Sequence, residues 1–234
     1  MSPLHILSGG AAQGLVTRLQ DRFKTEHGQT LNSTFGAVGL MKDALMAGAP
    51  CDVLILTDAL TRQLTASGQL RPGSARDLGR VKTGVAVIAG QPRPAVATPA
   101  ELRAALCAAT GIYFPDPIKS TAGIHFMKVL RELGLEAQQA GQLRSFANGA
   151  TAMAAMVEDG RKGHIGLLGC TQITEIVFTP GTELVAALPP EFELATVYTA
   201  AVTTTSGQAQ AAADLIELLG QADTADVRRQ CGFA

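Results

Sequence analysis

Hydrophobic residues in this chain fall into short runs and one-sided stripes, and the two alternate. Leu4 to Ser8 is an apolar run of strand length, and after the small-residue turn Ser8-Gly9-Gly10 the residues Leu15, Val16, Leu19 and Phe23 recur with helical period. The order repeats. Thr30 to Phe35 reads as a strand after Gly28, and Leu40 to Ala47 as a helix stopped by Gly48. Asp52 to Leu56 (DVLIL) is a continuous apolar run of the kind a parallel sheet buries on both faces. Asp58 is placed to cap a helix running through Leu64.

Beyond Pro72 the pattern changes and then resumes. Val81 to Ala89 predicts a long strand, and Pro99 to Ala109 a helix with its proline in the first turn. Gly111 to Phe114 (strand), Ala122 to Leu133 (helix, ended by Gly134), Ala150 to Glu158 (helix) and Ile165 to Leu168 (strand) form a second set. Leu184 to Ala187 and Ala195 to Val202 are further strands, and Ala211 to Leu219 is a helix. Strands alternating with helices of these lengths predict an α/β fold with two mostly parallel sheets. The sheets are joined through Val81 to Ala89 and a return near Leu194 to Val202. The expected lobes are residues 1–82 with 196–234, and residues 83–195.

Composition narrows the functions this architecture can serve. In 234 residues, 19 basic and 20 acidic side chains give a net charge of -1 without long runs of one sign, so no nucleic-acid or membrane-binding footprint is present. Aromatic residues are 4% of the chain and Trp is absent, which removes the stacking platforms used for single strands and sugars. Cys51, Cys107, Cys170 and Cys231 are scattered without a CxxC and read as reduced, and His5, His27 and His164 show no metal-ligand spacing. No cofactor or metal is expected. The opening MSPLHILSGG enters a strand at once, which predicts a cytoplasmic protein; an export leader ahead of it would make the protein periplasmic.

In an open α/β sheet ligands sit beyond the carboxyl ends of the strands. Four segments meet that description: Ser8 to Gly14, Phe35 to Gly39, Asp116 to Gly123 and Gly169 to Gln172. The small residues Ser8, Gly9 and Gly10, and Ala37 and Gly39, serve either a tight turn or a backbone cradle for an anion. In PDPIKSTAGIHF, Ser120 or Thr121 is a natural helix N-cap, Ala122 and Gly123 bring backbone donors without bulk, and Lys119 adds a full charge beside them. A capped surface helix with a solvated lysine fits the same residues. His125, in the first turn, is held neutral by the helix field and is either a base or a structural histidine. Cys170 and Thr171 follow an apolar run at the fourth segment, where Cys170 is a candidate nucleophile with no histidine demonstrably beside it.

The stretches HILSGGA, FKTEHG, MAGAPCDVLILTD, DPIKSTAGIH with KVLRELG, and the final CGF resemble the type II periplasmic solute-binding proteins, and within them the molybdate-binding branch. The resemblance implies two α/β lobes about a cleft, two hinge-crossing strands and closure on a small anion. In that family two serines, a tyrosine and main-chain groups hold the oxyanion. The corresponding places here read Gly10 or Ala11, Ala37 to Gly39, Ala122, Gly149 or Ala150, and Gly169. With three hydroxyls missing, a compact tetrahedral oxyanion such as molybdate is disfavoured. The passages TGVAVIAG, GLLGCTQ and LPPEFELATVYTAAV are similar to a branch that includes aconitate isomerase. That likeness implies a di- or tricarboxylate ligand isomerised by a proton shift, with Lys119 and the 120–123 amides as the electrostatic part and His125 or Lys119 as the base. The alternative is a non-catalytic binding protein serving a molybdate-type ABC permease or an anion sensor; a permease is a partner only if the chain is exported.

Overall fold

The apolar runs become strands and the stripes become helices, in a computed structural model that describes residues 2–234. In chain order the strands are β1 (Leu4–Gly9), β2 (Leu31–Gly36), β3 (Val53–Thr57), β4 (Arg76–Ile88), β5 (Gly111–Pro115), β6 (Leu143–Phe146), β7 (Leu167–Gln172), β8 (Thr182–Ala187) and β9 (Ala195–Val202). The helices are α1 (Gln13–His27), α2 (Val38–Met46), α3 (Asp58–Ala66), α4 (Pro99–Ala108), α5 (Thr121–Glu132), α6 (Gly149–Arg161), α7 (Ile173–Phe178), α8 (Ala209–Gly220) and α9 (Ala225–Gln230). A 3-10 turn, Gly10–Ala12, leads directly into α1.

The chain divides into two compact units, Met1–Val81 with Thr196–Ala234, and Lys82–Ala195. In the first, β2, β1 and β3 lie parallel in that order, with β9 antiparallel on β3. Strand β3 is buried at every position, as a run such as VLILT requires. The predicted stripe of α1, Leu15, Val16, Leu19 and Phe23, is buried too, in one core with Leu215 and Leu219 of α8.

In the second unit β6, β5 and β7 are parallel, and β4 pairs antiparallel with β7 and with β8. Side chains alternate across this sheet with period two. Val85, Val87, Ile112, Phe114, Leu168 and Cys170 point to one side, where Leu102 and Leu106 of α4 and Phe126, Val129 and Leu130 of α5 cover them. Ala86, Tyr113 and Leu167 point to the other, against Met153 and Met156 of α6 and Ile176 of α7.

Three local expectations change. The segment Gly169 to Gln172, expected to lie beyond a strand ending at Leu168, is the second half of β7, because Gly169 to Gln172 pair with Ala86 to Thr83 of β4. Helix α3 is capped by Thr57, whose Oγ1 accepts from the Leu60 amide at 3.4 Å; Asp58 lies inside the helix and pairs with Arg62. Strand β6 and helices α7 and α9 lacked a readable pattern: β6 (LRSF) is short and only partly buried, and α7 and α9 are six residues each.

Candidate functional site

Helices that follow the parallel strands differ in how their first turns are satisfied. A helix start leaves about four N–H groups without intrahelical acceptors. Helix α3 has Thr57, and α6 has Asn148, whose Oδ1 accepts from the Thr151 amide at 2.8 Å. The 3-10 turn entering α1, helix α2 and helix α5 have no side-chain cap. These three uncapped starts carry most of the candidates named above.

In the first unit the β1 and β2 ladders end in register, Gly9 opposite Gly36, so the starts at Gly10 and Val38 are neighbours. A Cβ on Gly9 would lie 2.8 Å from Val38 Cγ1 and 3.0 Å from Tyr198 Cε1, so glycine is what lets the two turns approach. Ala37 is the N-cap of α2, and Gly39 lies in its first turn. Ser8 is fully buried and its hydroxyl donates to Gly9 O at 2.9 Å, which commits it to the backbone.

In the second unit the loop between β5 and α5 is built by Asp116. Its carboxylate accepts from the amides of Ile118 at 2.7 Å and Lys119 at 2.8 Å, and its carbonyl from Ser120 N at 3.2 Å. This Asx turn folds the loop over the end of β5 and fixes the backbone of Lys119 beside the helix start. Ser120 occupies the N-cap position, yet its hydroxyl makes no capping bond, contrary to expectation. The first intrahelical bond is Ile124 N to Ser120 O, so the amides of Thr121, Ala122 and Gly123 come before it. Ser120, Ala122 and Gly123 are buried. A Cβ on Gly123 would fall on the carbonyl oxygens of Pro115 and Asp116, so the helix start rests against the loop with no room for a side chain.

His125 is half-buried, and its Nε2 lies 2.8 Å from Phe192 O. A carbonyl only accepts, so in the neutral ring Nε2 carries the hydrogen and the lone pair is on Nδ1.

At α6 a side chain of the protein itself occupies the helix start. Glu175, in the first turn of α7 and 4% exposed, accepts from Gly149 N at 3.1 Å and from Thr171 Oγ1 at 2.5 Å. Burial pushes its carboxyl above the ordinary range, while the Thr171 hydroxyl and the amides of Gly149, Ala150 and Gln172 favour the charged form. Gly149 and Thr171, expected to face a ligand, are thus engaged by an internal carboxyl group. Sequence reasoning missed Glu175; the only trace of it is the four-residue spacing from Thr171, and that spacing is common. Among the described residues no group of three or more His, Cys, Asp or Glu is arranged to hold a metal ion.

Cys170 corrects another expectation. It is 1% exposed in the apolar layer with Val85 and Phe114, and burial pushes its thiol far up, which leaves it unsuited to act as a nucleophile. Cys51, pushed up to about 12, and Cys231 are buried as well, whereas Cys107 is half-buried. A disulfide reagent at neutral pH is therefore expected to label Cys107 in the native protein and all four thiols only in guanidinium. Rapid native labelling of Cys170 would contradict this placement.

A cavity of about 430 Å³ lies at the opposite ends of these strands, lined by Val87, Ile88, Ala105, Ala109, Ile165 and Leu168 among others. It is apolar and brings no candidate residue together.

Comparison with known proteins agrees with this arrangement. A family model described as bacterial extracellular solute-binding protein matches residues 4–234. An aconitate isomerase from Pseudomonas sp is 25% identical over 241 aligned residues, spanning 100% of this chain and 88% of that protein. Among solved structures, the periplasmic molybdate-binding protein of Azotobacter vinelandii superposes with a TM-score of 0.80 at 16% identity, covering 99% of this chain and 98% of that one. PEB3 of Campylobacter jejuni, solved with bound L-phospholactate, superposes with a TM-score of 0.68 at 12% identity, with 98% of each chain covered. A family match over nearly the whole length, joined to parallel strands that end at uncapped helix starts, settles the assignment: this chain belongs to the bacterial extracellular solute-binding protein family.

Proposed function

We propose that this protein binds a small di- or tricarboxylate through the first turn of α5 and isomerises it by a proton shift. The observation that carries the reading is the start of α5: no side chain caps it, Ala122 and Gly123 are buried, and a glycine lets the turn rest on its loop. Such amides and the helix dipole favour a negative group, and each charge-assisted bond is worth about 1.5–3 kcal/mol. Lys119 supplies a cation next to them. The Azotobacter protein binds molybdate and the Campylobacter protein was solved with L-phospholactate, so small anions suit the fold, and the second of these carries a carboxylate.

The catalytic half rests on the aconitate isomerase relative and on His125. In an allylic shift one carbon beside a carboxylate loses a proton, the double bond moves, and the other end of the system regains a proton. His125 Nδ1 or the Lys119 amine carries it, and the α5 amides stabilise the enolate-like charge between the two steps. Incubating the protein with cis- or trans-aconitate and following ultraviolet absorbance is expected to show approach to one equilibrium mixture from both sides. His125→Gln then identifies the base: loss of turnover with affinity kept assigns it to His125, and turnover kept leaves the Lys119 amine.

The second reading, a binding protein without turnover that serves an ABC permease or a sensor, is favoured by the family's description. Its mark is a raised unfolding temperature with a carboxylate and no interconversion at high protein concentration. A ligand at about 100 times its Kd adds roughly 2.7 kcal/mol. Stabilisation by molybdate or sulfate and by no carboxylate would overturn the carboxylate assignment.

A further inference from the structure

Gln172, the last residue of β7, is 2% exposed, and neither its Oε1 nor its Nε2 has a hydrogen-bond partner. Opposite it in the antiparallel ladder stands Thr83 of β4, 1% exposed, whose Oγ1 is also unpartnered. Directly opposed residues of such a pair project to the same face with Cβ atoms about 4.5–5.5 Å apart. The three polar atoms therefore form one cluster. Buried groups of this kind are seldom left unsatisfied, so a partner from outside the chain is called for.

The cluster lies on the α5 side of the sheet. Alternation along β7 puts Gln172 on the face of Leu168 and Cys170, which α5 covers. Because β7 runs parallel to β5, Gln172 comes at the end of the sheet where α5 begins. Hydrogen bonds tie the two together: Thr83 N donates to Leu194 O at 3.1 Å, Leu188 N donates to Thr83 O at 3.0 Å, and the intervening Phe192 O meets His125 of α5.

The chemistry of this cluster is more selective than that of the helix start. Nε2 brings donors, Thr83 Oγ1 both gives and accepts, and Oε1 only accepts. A deprotonated oxyanion has no hydrogen to offer Oε1. An alcohol hydroxyl donates and accepts at one atom. We propose that the anion bound by this unit is a hydroxy acid, its carboxylate on the first turn of α5 and its hydroxyl between Gln172 and Thr83. The proposal rests on the carboxylate part of the reading above; a saturated hydroxy acid has no double bond to move, so a preference for the hydroxyl goes with the second, non-catalytic reading and against aconitate as the preferred ligand.

The test is calorimetric titration with malate against succinate and citrate against tricarballylate, pairs that differ by one hydroxyl, on the wild type and on Gln172→Leu. The substitution removes the unpaired amide at similar volume; Gln172→Met is the second apolar variant should the first unfold. In the wild type the hydroxylated member is expected to bind at least about tenfold tighter. In the variant the preference falls to within about twofold, with succinate and tricarballylate little changed. Equal affinities in the wild type mean that water fills the cluster, and they overturn the proposal, as does a preference that survives both substitutions. Failure of all four to bind overturns the carboxylate reading, and this inference with it.

Discussion

Replacing Glu175 with alanine is expected to lower the free energy of unfolding by about 2–4 kcal/mol, a large part of the 5–15 kcal/mol typical of a folded domain. The carboxyl group is buried and satisfies the Gly149 amide and the Thr171 hydroxyl. Alanine leaves both donors without an acceptor, orphans part of the α6 start and opens a void. Glu175→Gln keeps one acceptor but turns an NH2 group toward donors, so it is expected to recover only a minor part of the loss. Gly149→Ala reaches the same contact from the other side, because its Cβ would fall on Glu175 Oε2 and Thr171 Oγ1. Since both substitutions break one contact, their effects should be well short of additive in urea titrations. A loss below about 1 kcal/mol for Glu175→Ala would mean that those amides are already solvated.

Gly123→Ala is expected to weaken carboxylate binding by about a hundredfold or more while the fold survives. The added methyl meets the carbonyl oxygens of Pro115 and Asp116, backbone atoms that cannot rotate away. Relief requires the start of α5 to move off its loop, which costs about 1–3 kcal/mol of stability and misplaces donors whose worth depends on geometry within a few tenths of an ångström. Ser120→Ala, at an N-cap position whose hydroxyl makes no capping bond, should by contrast be nearly neutral in stability. A Gly123→Ala protein with wild-type affinity would remove α5 from the site.

The alternation of strands and helices was legible because burial is repetitive: DVLIL and the α1 stripe each state their environment several times over. What escaped was decided by partners distant in the chain. GCTQ looks like a loop on its own residues and becomes a strand only when β4, some 85 residues earlier, pairs with it. Cys170 and Gln172 follow from that pairing, which turns one into the apolar layer and leaves the other as a buried, unpartnered amide. Thr57 rather than Asp58 caps α3 because the strand runs one residue further than its apolar positions indicate. The glycine at 123 could be read as permissive, but not as obligatory, since the oxygens that exclude a side chain belong to the folded loop.

The amide signals of Thr121, Ala122 and Gly123, followed by nuclear magnetic resonance on the isotopically labelled protein during addition of a di- or tricarboxylate, test the central claim most directly. They are expected to shift downfield together and saturate at the calorimetric Kd, as amides do when they gain an anionic acceptor. Saturable binding that leaves these three amides unmoved while perturbing the cavity around His164 and Ile165 would contradict the account.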